Sequence, residues 1–379
     1  MRVCHFSSST LDTHYFANLG KGLSARGIPV LWCTLLEERP PAWIEELPDA
    51  DYFCLNAPSR FHYPLAIFRL ARLLRKERID VLQTHLFYAG IIGVVAAQLA
   101  GRTVIVTRHH MDQVGLIGTR FHVALDRWMA RKADHVVVLS NAVRDYMVSS
   151  DSVDGDKIEV IHQGFDFEDF SATEEDRKRV RAEFNFTSEF VVGCIGNLFK
   201  TKGHIYLLTA LRDLIKEVPN VKLLLVGSGD INYVEEIVSN LQLEERVVFA
   251  GFRRDVPACM RAMDLVVHPS LSEAFCQVLI ETMSVGTPLI TTDVGGATEV
   301  VTHGETGMLV PPADTAAIAD TVLHLYRNPE LRRHIAAAGQ RSVRLRFTVE
   351  RMVEKQIECY RRLLKGSASS ENVHVGSQI

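Results

Sequence analysis

Short apolar runs recur along the first half of the chain at residues 2–6, 30–33, 81–83, 104–107, 135–139 and 158–161. Between them lie segments whose apolar residues return every three or four positions. One is 15–26, which Gly27 stops; another is 64–78, where Leu65, Phe68, Leu70, Leu73 and Leu74 sit beside a basic face. Unbroken apolarity marks strands buried on both faces, and a period near 3.6 marks amphipathic helices. A charged helical stretch, 171–186, opens a second series of runs at 191–195, 221–226, 247–249, 265–268, 289–292 and 308–310. The alternation predicts an α/β protein of two tandem, doubly wound domains, each with a parallel sheet, facing across a cleft. The boundary falls near Gly164, with one domain over 1–165 and the other over 166–345. A helix at 346–365 is expected to pack back toward the N-terminal domain, and the Ser-rich segment 366–379 to be a flexible tail.

Length agrees: 379 residues at about 150 per domain make two domains, and 47% hydrophobic content suits buried cores. The net charge of −4 argues against nucleic acid as a partner. Seven cysteines, at 4, 33, 54, 194, 259, 276 and 359, form no CxxC or CxxH pair, so neither a disulfide framework nor a zinc cluster is indicated. The expected setting is cytoplasmic. The opening MRVCHFSSST lacks the apolar stretch of a secretory signal, and the longest apolar run, 86–97, falls short of the ~20 residues that span a bilayer. Residues 60–132 nevertheless hold twelve basic and four acidic residues, a local excess of eight positive charges.

Ligands of open α/β sheets bind beyond the carboxyl ends of the strands, so chemistry is sought in the loops there. The segment after the run 265–268, PSLSEAFCQVLIETMSVGTP, places Glu273 and Glu281 eight residues apart. Eight residues of helix rise about 12 Å, which puts the first acid at the helix start and the second a little over two turns on. Backbone N–H groups over 274–277 would then cradle a phosphate beside Glu273. Acids that grip hydroxyls beside amides that grip phosphate suit a sugar nucleotide; an amphipathic helix with an acidic cap is the bland alternative. Two further loops favour the first reading. After 191–195 comes Gly196-Asn197-Leu198-Phe199-Lys200-Thr201-Lys202-Gly203, with glycines for close approach and Lys202 for a diphosphate, and after 289–292 comes a turn containing Gly295 and Gly296.

These segments resemble the retaining glycosyltransferases of the GT-B fold, glycosyl transferases group 1 (GT4 type). The resemblance runs through the C-terminal half: IGNLFKTKG (195–203), VGSGD (226–230), VFAGFRRDVP (248–257), the Glu273/Glu281 loop, GGATEVV (295–301) and HGETGMLVPPAD (303–314). The N-terminal half is similar through VTRHH (106–110), ADHVVVLS (133–140) and IHQGFDFEDF (161–170). It implies two Rossmann-like domains, an acceptor domain followed by a donor domain. It also implies transfer of a hexose from a nucleotide-diphosphate sugar to a glycan or lipid-linked acceptor, in surface polysaccharide or glycolipid synthesis. On the family pattern Lys202 binds the donor diphosphate with Gly196 and Asn197. Glu273 meets sugar hydroxyls near the reacting carbon, Glu281 takes the ribose, and Phe275, Cys276 and Gln277 offer backbone amides. The histidine that lines the sugar site falls on His109, with His110 one alignment slip away.

Two positions depart from the family pattern. Asn197 stands where many relatives have Arg, leaving Lys200, Arg253 or Arg254 to supply the second cation. Ser7 to Thr10 replace a Gly-Gly loop, so Ser9 and Thr10 either bind acceptor or donor or cap the following helix. The resemblance implies retention of configuration with attack from the leaving-group side. No metal or other cofactor is then obligatory: cations and helix amides stabilise the departing diphosphate. Basic and apolar residues alternate over 64–78 and 116–132, which suits either an ordinary helix packed on a sheet or peripheral contact with anionic membrane. Three other functions remain: a non-catalytic nucleotide-sugar binder, a sugar-phosphate synthase of the same fold, and an NAD-dependent oxidoreductase. The last fails because Gly227-Ser228-Gly229 lacks the third glycine of a dinucleotide loop.

Overall fold

The computed structural model describes residues 1–111, 118–168 and 170–375, with side chains to Lys365. The side chains of the expected flexible tail, 366–379, lie outside the described residues, as do residues 116 and 117 of the second basic stretch. Two compact units result, one of Met1–Phe165 with Phe347–Ile379, the other of Asp166–Arg346.

The first unit holds seven parallel strands: β1 (Val3–Ser7), β2 (Val30–Thr34), β3 (Ala50–Cys54), β4 (Val81–His85), β5 (Thr103–Arg108), β6 (His135–Val138) and β7 (Ile158–Val160), in the order β3-β2-β1-β4-β5-β6-β7. Strand β3 was not among the predicted elements. It is an edge strand whose residues alternate between half-buried and exposed, so it has no apolar run to betray it. The period-two alternation of the inner strands sends Cys4, Phe6, Leu31, Leu82, Val104 and Val106 to one core, and Val3, Val30, Val81 and Ile105 to the other. The helix Val349–Val375 covers the second core with Met352, Val353, Ile357 and Tyr360, and packs beside the helix His14–Ser24.

The helix Tyr63–Lys76 buries Ala66, Leu70, Leu73 and Leu74 but leaves Leu65 49% and Phe68 65% exposed, next to Phe61 at 95%. Its apolar residues therefore divide between the core and the surface, where a single buried face was expected.

The second unit holds β8 (Phe190–Ile195), β9 (Val221–Val226), β10 (Val247–Gly251), β11 (Leu265–His268), β12 (Leu289–Thr292) and β13 (Met308–Val310), all parallel, in the order β10-β9-β8-β11-β12-β13. In both sheets the order reverses once, between β1 and β4 and between β8 and β11. At such a switch point neighbouring loops diverge to opposite faces and open a crevice.

Glycines let the loops at the second switch point touch. Gly227 has φ +151°, and a Cβ there would lie 1.9 Å from the Gly196 carbonyl oxygen. Gly203 has φ +69°, and its Cβ would lie 2.0 Å from the Pro269 carbonyl oxygen. Hydrogen bonds complete the join: Leu271 donates its N–H to Thr201 O (2.8 Å), and Leu198 to Ser228 O (2.8 Å). Gly227→Ala meets both a forbidden φ and backbone, and is expected to destabilise the second unit by roughly 1–3 kcal/mol. A melting temperature several degrees below wild type checks this in calorimetry; an unchanged one would mean that the loop gives way freely.

Candidate active site

Beyond β8 the chain makes a single 3-10 turn, Lys200–Lys202, before Gly203 starts the helix His204–Leu214. Beyond β11 it runs through Pro269 to Cys276 before the helix Gln277–Ser284. The two loops bring Lys202 Nζ to 2.6 Å from Glu273 Oε1, and His268 Nε2 to 2.8 Å from the same oxygen. Cys276 Sγ lies 3.1 Å from that histidine nitrogen. Among the described residues Glu273 Oε2 has no such partner.

Glu273 was expected at the start of a helix but stands four residues before it. Cys276, just before the helix, has extended backbone with ψ 92°, and its contact with His268, together with the bonds from Lys202 and His268 to Glu273, ties this segment to the neighbouring loop. Tertiary contacts thus override local helix propensity over 273–276. Phe275 and Cys276 bury their side chains, so what they can offer a ligand is backbone, while Gln277 is exposed.

Burial alone would push the Glu273 carboxyl up; His268 and then Lys202 outweigh it and hold it at about 2. Burial likewise opposes the charge on Lys202, and the Glu273 carboxylate more than restores it, raising the ammonium above its ordinary range. Both groups are ionised at neutral pH, and Glu273 acts as an acceptor. Glu281 is different: half-buried and without a hydrogen bond to its carboxylate among the described residues, it is raised by burial to about 7. Lys202 and Glu273 meet; Glu281 does not join them.

Of the three side chains considered for the second cation, Arg253 is committed elsewhere, to Glu183 and Asp255. Lys200 is exposed with its ammonium over the Tyr233 ring, and Arg254 is exposed. Gly196 has φ +144° and Asn197 is exposed at the mouth of the loop. His268 was missed as a site residue. It closes the apolar run Leu265–His268, and a polar residue at the carboxyl end of a buried strand is the signal that points to it.

In the first unit, His109 follows β5 and is half-buried. Its Nε2 lies 3.0 Å from His85 Nδ1, and its ring meets the Tyr15 ring edge-on. Burial, then His110, lowers its pKa to about 4, so its imidazole is neutral at pH 7. His110 accepts a bond from Arg108 Nε at its backbone oxygen. Ser9 and Thr10 are exposed, and neither caps the next helix: Thr13 does so, through Phe16 N–H at 3.4 Å. Thr10 instead donates to Glu37 at 2.9 Å.

The family model for glycosyl transferases group 1 matches residues 176–342, and that for glycosyltransferase family 4 matches residues 13–169. The N-acetyl-alpha-D-glucosaminyl L-malate synthase of Bacillus anthracis is 29% identical over 361 residues, 92% of each chain. An Escherichia coli UDP-Gal:alpha-D-GlcNAc-diphosphoundecaprenol alpha-1,3-galactosyltransferase is 26% identical over 271 residues, covering 69% of this chain and 70% of its own. The crystal structure of Anabaena HepE in complex with UDP-glucose superposes with a TM-score of 0.80 at 23% identity, over 98% of this chain and 100% of that one.

The raised Glu281 has a consequence for stability. Its pKa is about 7 folded against an ordinary 4.5, so the folded state holds a proton that the unfolded state has released. The stability present below pH 4.5 is lost progressively as pH rises to 7. Glu281→Gln is therefore expected to melt with wild type in acid and a few degrees above it at about pH 8.5. Equal melting temperatures across that range would contradict the raised pKa.

Proposed function

The chain belongs to the glycosyl transferases group 1 family with a GT-B fold, and on that premise we propose that it moves a hexose from a nucleotide-diphosphate sugar to a glycan or lipid-linked acceptor with retention of configuration. The observation that carries the donor half is the Glu273 carboxylate, anchored through Oε1 by Lys202 and His268, with Oε2 left for sugar hydroxyls. It lies at the switch point of the second sheet, beside the glycine loop 196–203. The complex of HepE with UDP-glucose and the UDP-Gal named for the Escherichia coli relative support a sugar nucleotide as donor.

As the sugar–phosphate bond breaks, positive charge grows on the sugar and negative charge on the diphosphate. Lys202 places one N–H on Glu273 and has two more to give phosphate oxygens. The backbone over 275–277 and the loop at Gly196 and Asn197 come next to it. Glu273 stays ionised, orients the sugar through its hydroxyls and favours the positive carbon without bonding to it. The leaving diphosphate takes the acceptor proton. Glu281 receives the ribose hydroxyls, and the family pattern gives His109 a sugar hydroxyl. No step in this scheme needs a metal.

Lys202→Ala and Glu273→Gln are each expected to lower kcat by roughly two to three orders of magnitude, as removing an electrostatic stabiliser does. Glu281→Ala should chiefly raise the donor KM. Transfer and donor hydrolysis measured with UDP-, GDP- and ADP-sugars check this. Turnover close to wild type in the first two variants would remove the site, and donor binding without any turnover in the wild-type protein would make it a sensor.

A lipid-linked acceptor is supported by the surface of the first unit. Phe61, Leu65 and Phe68 project there beside Arg60, Arg72, Arg75 and Lys76, an apolar wedge within a basic collar. None of the described helices is long and apolar enough to cross a membrane, so contact would be peripheral. Co-sedimentation with vesicles containing phosphatidylglycerol is expected, and Phe61→Ser with Phe68→Ser should weaken it several-fold. Recovery with neither charged nor neutral vesicles would overturn membrane docking, and equal recovery with both would overturn the role of the basic residues.

A further inference from the structure

Four buried side chains of the first unit form a continuous row behind His109. His5 on β1 and Gln83 on β4 lie side by side in the sheet, on the face that the helix Val349–Val375 covers, and His85 ends β4. Tyr360, from that helix, is fully buried and donates its hydroxyl proton to Gln83 Oε1. Its oxygen lies 3.2 Å from His5 Nε2. His5 Nδ1 lies 2.9 Å from His85 Nε2, and His85 Nδ1 lies 3.0 Å from His109 Nε2. Trp32 stacks on His5, while Phe16 and Tyr15 meet His85 edge-on, so the rings are held in place by packing on several sides.

The row can be solved by counting protons. Burial depresses the pKa of His5 to about 3, and burial with its two histidine neighbours depresses that of His85 further below the ordinary range. With His109 also neutral, each ring has one N–H to give. Gln83 presents oxygen to Tyr360 because its Nε2 already donates to Thr107 Oγ1 at 2.7 Å, which orients the amide. Tyr360 has spent its only proton there, so the bond to His5 takes the proton of His5 Nε2. His5 Nδ1 is then bare and accepts from His85 Nε2, and His85 Nδ1 is bare and accepts from His109 Nε2. The end of the row is His109 Nδ1, a lone pair with no hydrogen bond among the described residues.

We propose that this row sets the tautomer of His109, with its proton on Nε2 and its Nδ1 lone pair presented to a hydroxyl of a bound sugar, and that Tyr360, His5 and His85 are positioning residues for it. The proposal rests on the placement of His109 at the sugar. An acceptor atom there selects a hydroxyl and repels a phosphate oxygen. It makes a helix some 250 residues away in sequence part of sugar recognition.

Long-range proton–nitrogen spectra of the full-length protein labelled with 15N-histidine test it at neutral pH, with His109→Gln assigning the His109 signals. The expected pattern is a proton on Nε2 of His5, His85 and His109; a proton on His109 Nδ1, or fast averaging between the two nitrogens, would overturn the proposal. Tyr360→Phe removes the oxygen that anchors the row. It is expected to mix or reverse the His109 tautomer and to lower kcat/KM for the donor about tenfold, the worth of one good hydrogen bond. A loss of activity with the His109 tautomer unchanged would make Tyr360 merely structural and overturn its positioning role. Should that variant fail to fold, the wild-type spectrum decides alone. Wild-type turnover in His109→Gln would overturn the sugar contact, an outcome separable from the tautomer because the spectrum does not depend on turnover.

Discussion

A buried carboxylate needs compensation, and at Glu273 that need ties the second unit's site together. One oxygen takes both Lys202 and His268, which arrive from different loops. Removing either partner would leave charge in a poorly solvated place, so the three side chains are interdependent. Their meeting depends in turn on strand order. Because β8 and β11 are neighbours in the sheet although separated by two strands in sequence, the loops that follow them emerge side by side. The positive φ values at Gly196, Gly203 and Gly227 let those loops close to backbone contact.

Much of this was legible in one dimension because buried parallel strands carry their own signal. Every inner strand appears as an apolar run, and the strand without one, β3, is an edge strand half open to solvent. That Lys202 and Glu273 stand in loops at one sheet edge was legible from their positions after strands, and the structure brings the two side chains into contact. Two kinds of information were not. The start of the helix Gln277–Ser284 was misplaced because hydrogen bonds from Lys202 and His268, 71 and five residues from Glu273, decide where the chain stops being extended. The histidine row was invisible because its members, residues 5, 83, 85, 109 and 360, acquire a common context only when the sheet is paired and the last helix is laid across it.

Periodicity also has a limit on the surface. A helical period says that apolar residues share a face, not what covers that face. In the helix Tyr63–Lys76, Leu70 and Leu74 fall on the core stripe, whereas Leu65 and Phe68 fall to the side and stay in solvent. Periodicity alone therefore does not separate a helix that packs wholly on its sheet from one that keeps part of its apolar surface in solvent.

The Glu273 cluster and the histidine row handle buried ionisable groups in opposite ways. In the second unit, opposite charges are set in contact, so Lys202 and Glu273 both remain ionised despite their burial. A departing diphosphate is stabilised by a fixed cation, and a carbon gaining positive charge by a fixed anion. Among the described residues of the first unit no carboxylate joins the row, and burial keeps His5, His85 and His109 neutral. A neutral row can still be polar in a defined sense, because each ring passes on the direction of the bond before it. A hydroxyl can donate to such a directed lone pair, whereas a protonated imidazole has no lone pair to offer and would draw phosphate instead.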